Sequence, residues 1–276
     1  MPTNEQRREA AKRKLERQLE RRAQRARKRQ LLTIAGSVLA VVLVAGGVAA
    51  VYFVTKGDDS TTDTAAACAY PSSPEPAAKP VDPPKADGVE ATDDTITASI
   101  ETNQGNIGLT LDNSKSPCTV NNFYSLASQG YYDNTTCHRI VNGASLKVLQ
   151  CGDPSATGAG GPGYTFADEY PTPPGGPDPT ATQPSDLYKR GVVAMANAGP
   201  GTNGSQFFLV FGDSQLPAAY TIFGTVDETG LETLDRIAAN GIAPPPNTPP
   251  APEGSPDPED GSPKQPVELT SVRMDN

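Results

Sequence analysis

Along the second half of the chain, apolar and polar positions alternate in short, well-separated runs. Ile96, Ala98 and Ile100 form one run and Ile107, Leu109 and Leu111 the next, with Asn103-Gln104-Gly105 between them. Period-two alternation on either side of a polar turn predicts a β-hairpin. Further strands are expected at 138–141, 148–151, 192–196, 207–211, 221–226 and 267–272. The period lengthens twice. Ser116-Pro117 supplies a cap and a proline suited to a first helical turn, Val120, Phe123, Tyr124 and Ala127 follow at helical spacing, and Gly130 ends the run. Leu231, Leu234 and Ala238 share one face of a second expected helix at 231–239. Many strands and two helices predict a mostly β fold, a closed antiparallel barrel with helices over its ends.

A different pattern occupies residues 31–54, which form 24 consecutive positions without a charge. At ~1.5 Å per residue that run can cross the roughly 30 Å hydrocarbon core of a bilayer. It is too long for the apolar part of a cleaved signal peptide, and no small-residue cleavage site follows directly. A single transmembrane helix is therefore expected at 31–55. Residues 1–30 carry twelve Lys/Arg against four Glu. The positive-inside rule then places a basic tail (1–30) in the cytoplasm, lying against anionic membrane lipid, and everything after the span outside the cell membrane. Residues 56–93 are Ser/Thr-rich and then Pro-rich, a composition that predicts an extended linker. The remaining 94–276 read as one domain. Within it, 171–184 and 243–266 are proline-rich inserts, the second read as a surface loop before a last strand.

Charge narrows the chemistry. Beyond the span, 28 acidic residues face ten basic ones apart from Lys56 at the membrane edge, which excludes a nucleic-acid partner needing a basic footprint. Cys68, Cys118, Cys137 and Cys151 all fall on the exported side, where disulfides persist, and four cysteines allow three pairings. One histidine and no CxxC spacing leave no expected metal site. No G-x-S-x-G elbow is present. The glycine-rich stretch 158–163 lacks the ending and helix of a phosphate loop and reads as a surface turn. Asp168-Glu169 reads as a loop pair, as readily solvated as catalytic. What remains is an arginine on a strand, Arg139, and the polar-then-aromatic run Asn203-Gly-Ser-Gln-Phe-Phe.

Residues 191–212, GVVAMANAGPGTNGSQFFLVFG, resemble the signature stretch of cyclophilins, the peptidyl-prolyl cis/trans isomerases. His138-Arg139-Ile140 with Leu149-Gln150-Cys151-Gly152-Asp153 resembles that family's HRI…QGGD pair, and TIFGTV resembles another of its strands. The resemblance covers roughly residues 94–274. It implies a closed eight-stranded antiparallel barrel capped by two helices, working without a cofactor on proline-containing polypeptides. Its catalytic arginine falls on Arg139. Contacts to the substrate backbone fall on Gln150, Asn197 and Gln206, with Ala196 and Ala198 on the cleft wall. The proline pocket falls on Phe208 and Leu216, with Val148 and Tyr220 at positions where the family carries other side chains.

The departures point to altered activity. Ten residues separate Arg139 from Gln150, where most family members have seven, and Lys147-Val148 stands in place of a Phe-Met pair. Gln215 replaces a tryptophan that helps bind cyclosporin, so weak or no cyclosporin binding is expected. Lys147 and Gln215 also support a rival reading, a non-catalytic peptide-binding module on the same barrel. Pairing of the two strands around Arg139 and Gln150 would set Cys137 opposite Cys151, leaving Cys68 to join Cys118.

Overall fold

A computed structural model describes residues 67–172, 186–244 and 258–275. The expected basic tail, the expected span at 31–55, the first part of the linker and the middles of both inserts lie outside the described residues. Among the described residues, no helix is long and apolar enough to cross a membrane.

In chain order the elements are β1 (Ile96–Thr102), β2 (Gly105–Leu111), α1 (Pro117–Ser128), β3 (Thr135–Thr136), β4 (Arg139–Asn142), β5 (Lys147–Cys151), β6 (Val192–Met195), β7 (Phe207–Gly212), β8 (Ile222–Val226), α2 (Glu228–Ala239), β9 (Ile242–Ala243), β10 (Asp260–Pro263) and β11 (Glu268–Met274). One antiparallel sheet joins the strands in the order β3-β11-β1-β2-β8-β6-β7-β5-β4-β10-β9. All eight strands expected from alternation are present. The expectation of a closed eight-stranded barrel is nevertheless corrected: the described sheet has 11 strands, and its order runs open from β3 to β9. The three additions, β3, β9 and β10, are two to four residues long and contain Thr-Thr, Ile-Ala and Asp-Gly-Ser-Pro. β3 and β9 are too short to show a period, and β10, though as long as β4 and β6, carries no Val, Ile, Leu or aromatic residue to mark it.

Burial follows the alternation. Ala98, Ile100, Ile107, Leu109, Leu111, Val193, Leu209, Phe223 and Val272 point into one core with Val120, Phe123 and Leu126 of α1 and Leu234 and Ile237 of α2. Phe123 is its hub, with Tyr132, Phe207 and Phe223 ring centroids within 5.6 Å. Helix α1 starts at Pro117 as expected, but Ser116 does not cap it through its side chain. Its hydroxyl donates to the Ile222 carbonyl instead. The cap comes from Glu169, whose carboxylate accepts from Cys118 N, Thr119 N and the Thr119 hydroxyl at 2.6–3.0 Å, satisfying donors the first helical turn leaves open. Gly130, at φ 64°, ends α1 as expected. Tyr124, expected on the apolar face, is exposed.

Residues 67–93 do not stand off as an extended linker. Cys68 is bonded to Cys118, and Ser73 N and Ala78 N donate to the carbonyls of Gly163 and Gly161. Lys79 Nζ donates to three carbonyls, those of Gly130, Tyr131 and Asp133. The segment is thus held by the expected Cys68–Cys118 link, by backbone bonds and by Lys79, and only the first of these was legible in the sequence. The second disulfide joins Cys137 to Cys151, the pairing expected from the strands.

Candidate active site

Strand register divides four neighbouring strands into two faces. Ile140, Leu149, Leu209 and Val193 are successive cross-strand partners and enter the barrel core. One position along, Arg139, Gln150, Phe208 and Ala194 form a second row, and Val141, Val148 and Val210 a third. Because side chains alternate across a strand, these two rows share the outer face. Val141, Val148, Ala194, Phe208 and Val210 bury there in a second apolar cluster with Tyr188. Packed against it are Leu146, Ala196, Leu216 and Tyr220. Ordinarily the outside of a barrel strand is polar, so a second, buried apolar cluster on this face sets it apart from the rest of the sheet.

The polar row borders that cluster. Arg139 Nη1 stands 3.5 Å from Gln150 Oε1, and Gln150 Nε2 donates to Gln206 Oε1 at 2.9 Å. Gln206 Nε2 in turn donates to the carbonyls of Gly158 and Gly160. The glycine-rich stretch is therefore no idle surface turn. It wraps the fully buried Asp153, whose carboxylate accepts from the backbone N–H groups of Ser155, Thr157, Gly158 and Gly160. Burial pushes that carboxyl up, but hydrogen bonds from Ser155, Gly160 and Gly158 outweigh it and hold Asp153 below the usual carboxylate range. Its charge orders the loop that orders Gln206. Asp168 likewise fastens the next loop, accepting from Gly201 N and Asn203 Nδ2.

Phe208 and Tyr220 meet edge to face, and Tyr188 lies within 6.3 Å of both rings. Burial pushes the Tyr188 phenol up to about 12. It stays protonated, donates to Tyr220 O and accepts from Tyr220 N. Asn197 Nδ2 donates to Ala219 O, and Asn197 Oδ1 accepts from Gly199 N, so its side chain fixes its own loop against the Leu216–Tyr220 segment. Ala196 is half-buried beside the apolar cluster, while Ala198 is exposed at the rim. Gln150, Ala196, Asn197, Ala198 and Gln206 also line an adjoining cavity of 640 Å³, whose far wall is the docked Ser72–Pro76 segment. A separate cavity of 510 Å³ around Asp93, Asp94 and Asp112 contains none of the expected site residues. Among the described residues, no group of three or more His, Cys, Asp or Glu could hold a metal ion.

Every expected site residue thus falls on one face, although Ala198 sits at its margin. Two of the departures have a defined place. Lys147 lies along Gly212, where an added Cβ would stand 2.5 Å from its Cδ, and does not fill the apolar cluster. Leu146, from the longer connection, packs on the cluster in its stead. Sequence reasoning missed Tyr188, an isolated aromatic in a polar stretch. It also missed Asp260. That residue opens β10 in the second insert and accepts from Arg139 Nε at 2.8 Å and Nη2 at 2.6 Å.

Comparisons with known proteins identify the family. The family model "Cyclophilin type peptidyl-prolyl cis-trans isomerase/CLD" matches residues 97–273. A probable peptidyl-prolyl cis-trans isomerase B of Mycobacterium leprae is 48% identical over 310 aligned positions, with 100% of each chain covered. A protein of the same description from Mycobacterium tuberculosis is 51% identical over 209 residues, covering 75% of this chain and 64% of that one, so the chain spans under two thirds of its length. A crystal structure of a cyclophilin type isomerase from Cryptosporidium parvum is 28% identical with a TM-score of 0.47, covering 66% of this chain and 99% of that one. The chain belongs to the cyclophilin-type peptidyl-prolyl cis-trans isomerases.

Proposed function

We propose that this chain is a membrane-tethered isomerase whose outer domain rotates X–Pro bonds in exported polypeptides, with Arg139 as its catalytic residue. Rotation about an amide faces a barrier of ~18–20 kcal/mol, mostly lost resonance. In the twisted X–Pro bond the nitrogen lone pair is no longer delocalised and accepts a hydrogen bond. An N–H of Arg139 that meets this lone pair binds the twisted state better than either planar isomer, which is what acceleration requires. Arginine suits the task because its charge persists at physiological pH and its fork presents several donors.

The other residues supply anchoring. Val148, Phe208, Leu216 and Tyr220 receive the pyrrolidine ring in an apolar, water-poor pocket. Gln150, Gln206 and Asn197 hold the flanking peptide backbone between Ala196 and Ala198. No covalent intermediate or cofactor enters. Uncatalysed X–Pro isomerisation takes tens to hundreds of seconds and can limit folding, so a polypeptide emerging from a membrane gains from such an enzyme. The uncharged run at 31–54 and the basic tail before it support the tether and its orientation, with the tail on anionic lipid.

The observation that carries this reading is the single row of Arg139, Gln150 and Phe208 on one face of β4, β5 and β7. The test measures isomerisation of an Ala-Pro peptide by residues 57–276. Arg139→Ala is expected to lower kcat/KM on the order of 100-fold while peptide binding persists. A wild-type rate no faster than background, with proline peptides still bound, would leave a peptide-binding module only. For the tether, a protease added to intact cells should remove the outer domain and spare the tail; the opposite pattern refutes the orientation.

A further inference from the structure

Proline-rich and acidic composition made the second insert read as a surface loop, yet its end returns to the strand of Arg139. Residues of β10 pair with β4, Asp260 opposite Val141 and Gly261 opposite Ile140, and Asn142 N donates to Glu259 O. On its other side β10 pairs with β9, Ser262 opposite Ala243 and Pro263 opposite Ile242. Both ends of the insert are thereby fastened, and its last residues form a strand beside the arginine strand. There is no room for drift at Gly261, where an added Cβ would stand 2.1 Å from the Ala243 carbonyl oxygen.

That strand delivers one carboxylate to one guanidinium. Asp260 Oδ1 accepts from Arg139 Nε and Oδ2 from Nη2, a two-point contact along a single edge of the fork. The remaining nitrogen, Nη1, is left on the side of Gln150. With the Arg139 side chain 42% exposed and that of Asp260 52% exposed, such a pair contributes little to folding stability. Its consequence is directional. A long arginine side chain on an outer face has many rotamers open to water, and two bonds along one edge of a planar group fix both its position and its plane.

We propose that Asp260 is a positioning residue for isomerisation: it holds the Nε/Nη2 edge of Arg139 so that Nη1 faces the bound imide nitrogen. It touches no substrate and acts only through Arg139, so the proposal rests on the reading of Arg139 as catalytic. An oriented donor matters most to the twisted state, whose lone pair points in one direction, and little to the planar ground state.

The experiment compares Asp260→Ala, Asp260→Asn and Asp260→Glu with wild type, Arg139→Ala and the Asp260→Ala/Arg139→Ala double variant, all in residues 57–276. Two quantities are read, kcat/KM on an Ala-Pro peptide and the dissociation constant of the same peptide. Asp260→Ala is expected to lose about ten-fold in kcat/KM while its dissociation constant stays within about two-fold of wild type. Asp260→Asn, which keeps shape but only one good acceptor, should fall between, and Asp260→Glu should recover part of the loss. The double variant should be no slower than Arg139→Ala, because Asp260 has nothing left to orient. Glu259→Gln removes a neighbouring charge and should match wild type; a loss there equal to that of Asp260→Asn would assign the effect to general charge and overturn the proposal. Asp260→Ala and Asp260→Asn both as fast as wild type, or faster, would also overturn it, as would losses that add to that of Arg139→Ala. The isosteric asparagine decides the matter if the alanine variant fails to fold. A fully active Arg139→Ala would instead refute the catalytic reading itself and take this proposal with it.

Discussion

Phe208 and Tyr220 stand edge to face, with ring centroids 5.7 Å apart and planes at 82°. Phe208 comes from the start of β7 and Tyr220 from the loop before β8, so the pair ties a strand to a loop. Aromatic pairs of this geometry contribute roughly 0.5–1.5 kcal/mol beyond buried area. Tyr220→Phe keeps the ring and should retain wild-type kcat/KM. Tyr220→Ala should lose about five- to ten-fold, because it removes one wall of the apolar pocket and frees the loop. Equal activity of the two variants in the Ala-Pro assay would remove Tyr220 from the pocket.

The two disulfides should separate stability from activity. Cys68–Cys118 closes a separation of 50 residues and fastens the docked segment to α1, outside the row of Arg139, Gln150 and Phe208, whereas Cys137–Cys151 flanks both Arg139 and Gln150. Loop-closure entropy gives about 4 kcal/mol for the longer loop and about 3 kcal/mol for the shorter one. Replacing Cys68 and Cys118 by alanine should lower the unfolding free energy by 2–4 kcal/mol, a range typical of native disulfides, and change kcat/KM by less than about two-fold. Replacing Cys137 and Cys151 by serine should lower both. Denaturant unfolding with the peptide assay reads each effect, and an undiminished kcat/KM in the second variant would contradict the link.

How much of this was legible follows from what each element is made of. Eight strands and both helices carry apolar runs or an apolar period, so β1, β2, β4–β8, β11, α1 and α2 were readable. That Arg139, Gln150, Gln206 and Phe208 are neighbours on one face was readable too, because they sit in distinctive motifs. Asp260 was not, since its strand is four residues with no period, and its importance comes from a partner 121 positions away. Docking of residues 67–93 was hidden for a related reason: backbone bonds to 161–163 leave no mark on side-chain composition. Glu169 as the cap of α1 shows the same rule, since a local signal, Ser116-Pro117, placed the helix start correctly while a distant residue supplied the bond.

Asp153 should set part of the acid sensitivity. Its carboxyl is held below the usual range in the folded chain, so its contribution is complete above the ordinary carboxylate value and is lost as pH falls through the lower folded value. His138 acts in the same direction, since burial pushes its imidazole down and protonation below about 6.5 favours the unfolded chain. Glu169 acts oppositely, because burial raises it. A difference measurement isolates Asp153. Asp153→Asn should cost on the order of 2–3 kcal/mol near pH 7, the scale of hydrogen bonds to a charged group, and the gap to wild type should close below about pH 3.8. The variant should also slow isomerisation, because Gln206 leans on the loop that Asp153 orders. A pH-independent gap in urea unfolding would show that the asparagine acts through packing rather than charge.

Gln215 bears on drug sensitivity. Its backbone N donates to Ser145 O and its side chain is exposed, one residue before Leu216 of the apolar cluster. A tryptophan at this position would present a larger, flatter surface beside the apolar cluster, together with an indole N–H. The amide offers neither the area nor the rigidity. Wild type should therefore bind cyclosporin weakly, and Gln215→Trp should tighten inhibition by at least ten-fold, about 1.4 kcal/mol, with little change in peptide kcat/KM. The two properties should diverge because position 215 lies beside the apolar cluster, whereas Phe208 is part of it. Inhibition curves on the Ala-Pro assay give both numbers from one titration, and tight inhibition of the wild-type protein would remove Gln215 as the determinant.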